Sequence, residues 1–152
     1  MARMKHLAFL VIAAIATSLH AEPNLEFQQM FGSNGTLRSS SGALSMTSSR
    51  NGTSTTYRDA SGRMLGRAER NGNSITFRDS SGRTLGSSTL SGGSIVFRDA
   101  SGRTVGSASV VGDKTVYRDS SGRLLRTADR NGESVTYRDA SGRSLGTGTL
   151  RK

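Results

Sequence analysis

The residues with chemical potential in this chain recur in phase with one another. Arginine stands at Arg58, Arg78, Arg98, Arg118 and Arg138, and each is followed at once by an aspartate, at Asp59, Asp79, Asp99, Asp119 and Asp139. Each aspartate is followed two places later by serine and three places later by glycine, at Gly62, Gly82, Gly102, Gly122 and Gly142. A row of guanidinium groups can grip phosphate, sulfate or carboxylate through forked N–H donors. A row of carboxylates could instead hold a metal or carry acid–base chemistry. Paired-carboxylate hydrolysis, however, needs two acids with different roles in one cleft, whereas these five occupy one repeated position. Each carboxylate is satisfied most simply by its own turn and the arginine that follows.

Nucleophilic chemistry lacks a base. The only histidines, His6 and His20, lie in the first 21 residues, and cysteine and tryptophan are absent. Serines such as Ser61 and Ser81 therefore read as turn residues, and no ligand set for zinc exists. The glycines match neither a phosphate-binding loop nor a dinucleotide fingerprint. The sequence thus predicts a non-enzymatic protein without cofactor or metal. Its candidate binding residues are Arg58, Arg78, Arg98, Arg118 and Arg138. Asp59, Gly62 and their copies are structural turn residues.

The elements that must position these arginines follow from the period. The phrase Tyr57-Arg58-Asp59-Ala60-Ser61-Gly62-Arg63 returns every twenty residues to Tyr137, with a worn copy at Leu37 to Gly42. Beneath it runs a ten-residue period of glycine, from Gly32 to Gly142. Serine precedes these glycines in one series and mostly asparagine in the other, so two turn chemistries alternate. Each reads as a three-residue hairpin loop, a type I turn closed by a left-handed glycine. This register sets Arg58 opposite Met64 and Tyr57 opposite Leu65, with Leu65 in turn opposite Phe77.

In that register odd-numbered strand residues share one face. From 53 to 149 they include thirteen bulky apolar side chains, Tyr57, Leu65, Ile75, Phe77 and their copies. The even face has four, Met64, Val96, Val116 and Leu124, beside the arginines, threonines and Gly66, Gly86, Gly106 and Gly146. Such asymmetry marks a sheet with one buried face. A single ten-residue unit buries one or two bulky side chains, worth roughly 1.5–3 kcal/mol each, against a backbone cost of about 1–2 kcal/mol per residue. Stability must therefore come from neighbouring units. The predicted fold is all-β, a tandem hairpin array in an antiparallel meander that curls or closes to cover its apolar face. The alternative is a β-solenoid, which would stack like-charged arginines about 4.8 Å apart.

The remaining chain divides around this array. Arg3 and Lys5 precede the apolar run Leu7 to Ala16, and small and polar residues follow to Ala21. This is the layout of a secretory signal peptide at residues 1–21, too short to span a bilayer. Without cysteine it cannot be a lipoprotein anchor. Its removal lowers the formal charge from +10 to +8 by taking two cations. Residues 22–52 read as an irregular segment with one degenerate repeat, 53–149 as five hairpin repeats, and 150–152 as a basic tail.

The motif Tyr-Arg-Asp-x-Ser-Gly-Arg, over about two-thirds of the chain, resembles the YD or Rhs repeats of bacterial surface and toxin-delivery proteins. It is also similar to bacterial MORN-like hairpin repeats. The matching positions are Tyr57, Asp59, Gly62 and Arg63 and their copies through Tyr137, Asp139, Gly142 and Arg143. In the YD pattern tyrosine directly precedes the aspartate, whereas here arginine does and the aromatic lies one place earlier. The resemblance implies an envelope or extracellular location and scaffold or binding roles.

Three expectations follow. The leading one is an exported structural or interaction protein of the periplasm, cell surface or exterior, not membrane-spanning when mature. The second is an anion-binding module for acidic glycan, lipopolysaccharide or another envelope protein, with no specific nucleic-acid motif. The third is self-association into an extracellular fibre. Amino-terminal sequencing of exported protein should begin at Glu22; an exported chain that retains Met1 would overturn the cleavage expectation.

Overall fold

The computed structural model describes residues 34–151, which form twelve strands and no helix. In chain order they are β1 (Asn34–Ser39), β2 (Leu44–Asn51), β3 (Ser54–Asp59), β4 (Met64–Asn71), β5 (Ser74–Asp79) and β6 (Thr84–Ser91). The second half repeats the lengths: β7 (Ser94–Asp99), β8 (Thr104–Val111), β9 (Lys114–Asp119), β10 (Leu124–Asn131), β11 (Ser134–Asp139) and β12 (Ser144–Arg151). Every strand pairs antiparallel with its sequence neighbours, and β1 pairs with β12, so the meander closes into a barrel. The solenoid alternative is thereby overturned: neighbouring strands are joined by short turns and run in opposite directions. The expected signal peptide at 1–21 and residues 22–33 lie outside the described residues.

Closure depends on the worn first copy. Residues 34–51, within the segment expected to be irregular, form the hairpin β1–β2, and β1 pairs with β12 from Asn34↔Arg151 to Ser39↔Gly146. The expected basic tail also differs, because Leu150 and Arg151 belong to β12. Six hairpins therefore build the barrel, one more than the five regular repeats.

The two turns are of different length, which corrects the uniform three-residue reading. At the aspartate turn, Gly62 N–H donates to Asp59 C=O at 3.0 Å and Asp59 N–H to Arg63 C=O at 2.9 Å. Gly62 has φ of 84°, so this is the expected type I turn with left-handed glycine. At the other end Asn71 pairs directly with Ser74, leaving only residues 72 and 73 as the loop. The copy at Gly92 and Gly93 has φ of 56° and 80°, the signature of a type I′ turn.

The register within each aspartate hairpin also differs from expectation. Arg58 faces Met64 as predicted, but Tyr57 faces Gly66 because Leu65 is an extra, bulged residue. Likewise Phe77 faces Ala68, not Leu65. The bulge switches facing, so the interior takes odd positions from β3, β5, β7, β9 and β11 and even positions from β4, β6, β8, β10 and β12. Leu65, Leu85, Val105 and Leu125 are consequently only partly buried, and Leu145 is exposed.

Inside the barrel, large side chains interlock with small ones. Phe97 pairs with Ser88 on β6 and Gly106 on β8, and Phe77 with Ala68 and Gly86. The second buried layer is Thr55, Ile75, Ile95, Thr115 and Val135. Glycine at position 86 is imposed sterically: a Cβ there would collide with the Arg98 carbonyl oxygen across the strand pair. Gly86→Ala should therefore lower stability by about 1–3 kcal/mol through forced backbone shifts. Phe97→Ala should cost about 3–5 kcal/mol. Leu85→Ala at the half-buried bulge should cost clearly less than Phe97→Ala. Urea unfolding midpoints of the three variants check this order, and equal losses for Leu85 and Phe97 would contradict the observed facing.

Candidate anion-binding rim

Antiparallel order places all six aspartate-type turns, 39–43 through 139–143, at one end of the barrel. Each is built around a carboxylate that works as a local template. Asp59 Oδ1 accepts from Ser61 N–H at 2.9 Å, from Ser61 Oγ–H at 2.6 Å and from Arg63 N–H at 3.0 Å. The same three contacts recur at Asp79, Asp99, Asp119 and Asp139. Ser39 takes this place in the first copy and hydrogen-bonds Ser41 at 2.8 Å. The repeated aspartates thus accept hydrogen bonds within their own turns; among the described residues no three His, Cys, Asp or Glu side chains gather as a metal site.

These hydrogen bonds favour the charged carboxylate. Donation from the neighbouring serine hydroxyl is the leading cause, supported by backbone N–H groups, and all five carboxyls ionise below the usual 3.8. Asp99 is held down to about 2, with donation from Arg103 as a further contribution. Arg63, Arg103 and Arg143 close on the second carboxylate oxygen at 3.3, 3.0 and 3.1 Å.

The wall arginines lie just below this rim on the outer face. Arg58, Arg78, Arg98, Arg118 and Arg138 are on β3, β5, β7, β9 and β11, two strands apart, about 9.5 Å at the backbone. One guanidinium N–H of each donates to its own turn, to the carbonyls of Gly62, Gly82, Gly102, Gly122 and Gly142 at 2.9–3.2 Å. Arg38 makes the same bond to Gly42 at 2.9 Å. The guanidinium groups are thereby oriented, and Arg58, Arg98, Arg118 and Arg138 remain exposed. Together with Arg63, Arg83, Arg103, Arg123 and Arg143, eleven arginines surround five aspartates at this end.

The five candidate arginines are not equivalent. Arg78 Nε contacts Glu69 at 3.2 Å, and Arg67 reaches the same carboxylate at 3.2 Å. Arg138 faces Asp129 at 3.8 Å, which also holds Lys114 at 3.2 Å. Arg58, Arg98 and Arg118 have no carboxylate within ion-pair distance among the described residues. Arg98 donates instead to Thr104 Oγ1 at 3.2 Å.

One arginine that periodic reading passes over lies on the opposite face of the wall. Arg126 occupies the place held by glycine at 66, 86, 106 and 146, and it is buried, with its guanidinium carbon 5.4 Å from the Tyr117 ring centroid. Burial pulls its ionisation downward, and Tyr117 and Tyr137 oppose that shift. The available signal was the interruption in the glycine series. The Ser88 hydroxyl is buried without a hydrogen-bond partner among the described residues. Burial raises the Tyr57 phenol well above its ordinary range, with Thr55 partly opposing the shift.

No sequence family and no curated protein matches the chain. Its backbone is similar to the X-ray structure of a protein from Arabidopsis thaliana, with TM-score 0.54 and 8% identity over 79% of this chain and 81% of that one. At that identity the likeness is one of fold.

The lowered aspartate ionisation makes acid the specific stress for this rim. Folding favours the carboxylate, so the turns stabilise the protein fully above the unfolded value of 3.8, and this is lost as pH falls through the folded values, about 2 for Asp99. The melting temperature should be flat from neutral pH to about pH 5 and fall steeply toward about pH 2. Asp99→Asn should lower it at neutral pH and flatten the acid slope. Thermal melts across this range check both, and a melting temperature insensitive to acid would refute the linkage.

Proposed function

We propose that this protein is an exported, non-enzymatic scaffold that binds anionic polymers or surfaces of the cell envelope through the arginine rim of its barrel. The observation that carries the reading is the set of exposed guanidinium groups docked by one N–H on their turn carbonyls at one barrel end. Docking before binding reduces the side-chain ordering cost of capturing an anion. Arginine suits this role better than lysine because its planar fork matches carboxylate, sulfate and phosphate. Lipopolysaccharide, acidic glycan and an acidic envelope protein are the partners that such a rim fits.

Two alternatives are less well supported. A fibre assembled by strand addition needs an open sheet edge, and the β1–β12 pairing uses the edges of the meander. A lipid-spanning barrel needs an outward apolar band. Here the outward positions include Thr56, Arg67, Glu69, Thr76, Ser87, Ser109 and Thr136, while the aromatic side chains at 57, 77, 97, 117 and 137 are buried.

Retention on a sulfated or phosphate matrix at moderate salt tests the binding arm, with affinity falling as salt rises. Converting Arg78, Arg98 and Arg118 together to Gln should abolish retention; a triple variant that elutes with the unaltered protein would reject the rim. Cell fractionation tests the export arm, and protein confined to the cytosol would reject it.

A further inference from the structure

We infer that the outer wall from β6 to β9 is a discrete site for an acidic polysaccharide with its anions on alternate sugars, gripped by Arg98 and Arg118. The inference rests on the anion-binding reading above and narrows it to one sector and one ligand class. Acids on β4 and β10 bound this sector on both sides. Glu69 on β4 draws Arg78, and Asp129 on β10 draws Arg138. Between them, the outward positions Ser87, Thr89, Val96, Ser107, Ser109 and Val116 carry no acid. Arg98 and Arg118 therefore face only hydroxyls, methyls and their own turn carbonyls, and both are exposed.

Register defines the grip. Arg98 pairs with Ser87 on β6 and with Thr104 on β8, while Arg118 pairs with Ser107 on β8. The two arginines are thus separated by one hydroxyl-bearing strand, about 9.5 Å across two strand spacings. Nucleic acid presents a charge about every 3.4 Å along each duplex strand, too dense to meet one arginine per charge at that step. A chain with one carboxylate or sulfate per two sugars spaces its charges more widely and brings sugar hydroxyls against Ser87, Thr104 and Ser107. Single-stranded nucleic acid would also need aromatic platforms for its bases. The aromatic side chains of this region, Phe97 and Tyr117, are inside the barrel.

The test is fluorescence anisotropy with labelled hyaluronan decasaccharide, which has one carboxylate per disaccharide, and a single-stranded oligonucleotide of equal charge. The double variants Arg98→Gln/Arg118→Gln and Arg78→Gln/Arg138→Gln remove the same charge from opposite contexts. The first should weaken hyaluronan binding at least about ten-fold, as loss of a charge-assisted hydrogen bond does. The second should weaken it by a clearly smaller factor, because Glu69 and Asp129 already draw those guanidinium groups. Equal weakening by both pairs would overturn the sector while leaving the rim reading in place. Tighter binding of the oligonucleotide by the unaltered protein would overturn the ligand class, and binding of neither probe would overturn the rim reading as well. Should the first double variant fail to fold, Arg98→Lys/Arg118→Lys decides. It keeps the charge and loses the fork, so weakened hyaluronan binding supports the site and unchanged binding overturns it.

Discussion

After each aspartate turn the returning strand carries one residue more than its partner, and the facing of every later side chain depends on where that residue sits. At Leu65 and its copies the extra residue is absorbed as a bulge, and Gly66 rather than Leu65 comes opposite Tyr57. A bulge raises local twist and bends the strand, which is what a sheet needs to curl back on itself. The same step puts glycine where the next strand's carbonyl approaches, as Arg98 does at Gly86. Curvature, interior packing and the outward placement of the arginines are therefore consequences of one repeated irregularity. A strictly alternating sheet with leucine and aromatic on one face would be crowded on that face and flatter.

The aspartate turn is the counterpart of the bulge. It fixes where the returning strand starts, because Asp59 binds both Ser61 and Arg63 through backbone N–H groups. A turn that held only by sterics could slip by one residue and invert the facing of the strand. Three hydrogen bonds to one carboxylate oxygen make that slip costly. They also explain the fixed order of the motif: aspartate to accept, serine to donate twice, glycine to take the left-handed step, and arginine to close the turn beside the acid. The wall arginine preceding the aspartate is held by the same turn, through the Gly62 carbonyl, so scaffold and display are one unit.

The antiparallel hairpin array was legible because its signals are local. Glycine spacing locates turns, and charge repulsion between stacked arginines argues against a solenoid, which agrees with alternate strands carrying Arg58 through Arg138. The two turn lengths were less legible, because Ser-Gly and Asn-Gly both suit hairpin loops and their loop residues look alike in sequence. Facing suffered most. Leu65, Leu85 and Leu125 are apolar at odd positions, and periodicity alone assigns them to the core; only the bulge moves them to the margin. The role of residues 34–51 was obscured because Ser39 replaces the aspartate and Leu37 the aromatic, although the hairpin geometry survives. Ion pairing across strands, such as Arg78 with Glu69, needs the register and could not be drawn from the repeat.

A repeat that specifies its own packing leaves function to positions free to vary. Twenty-residue symmetry makes the turns at Asp79 and Asp119 interchangeable, so neither can carry a unique role. Charged departures include Arg67, Glu69, Arg126 and Asp129 on strands that return from the aspartate turns, and Lys114 on β9. Arg126 breaks the symmetry inside the barrel, replacing a glycine beside Tyr117 with a buried cation. Glu69 and Asp129 break it outside, neutralising Arg78 and Arg138 at opposite margins of β6 to β9. Two acids are enough to convert a uniform ring of guanidinium groups into occupied and unoccupied sectors. Because carboxylates on the wall compete with any external anion for the same N–H donors, they determine where around the barrel such an anion can be held.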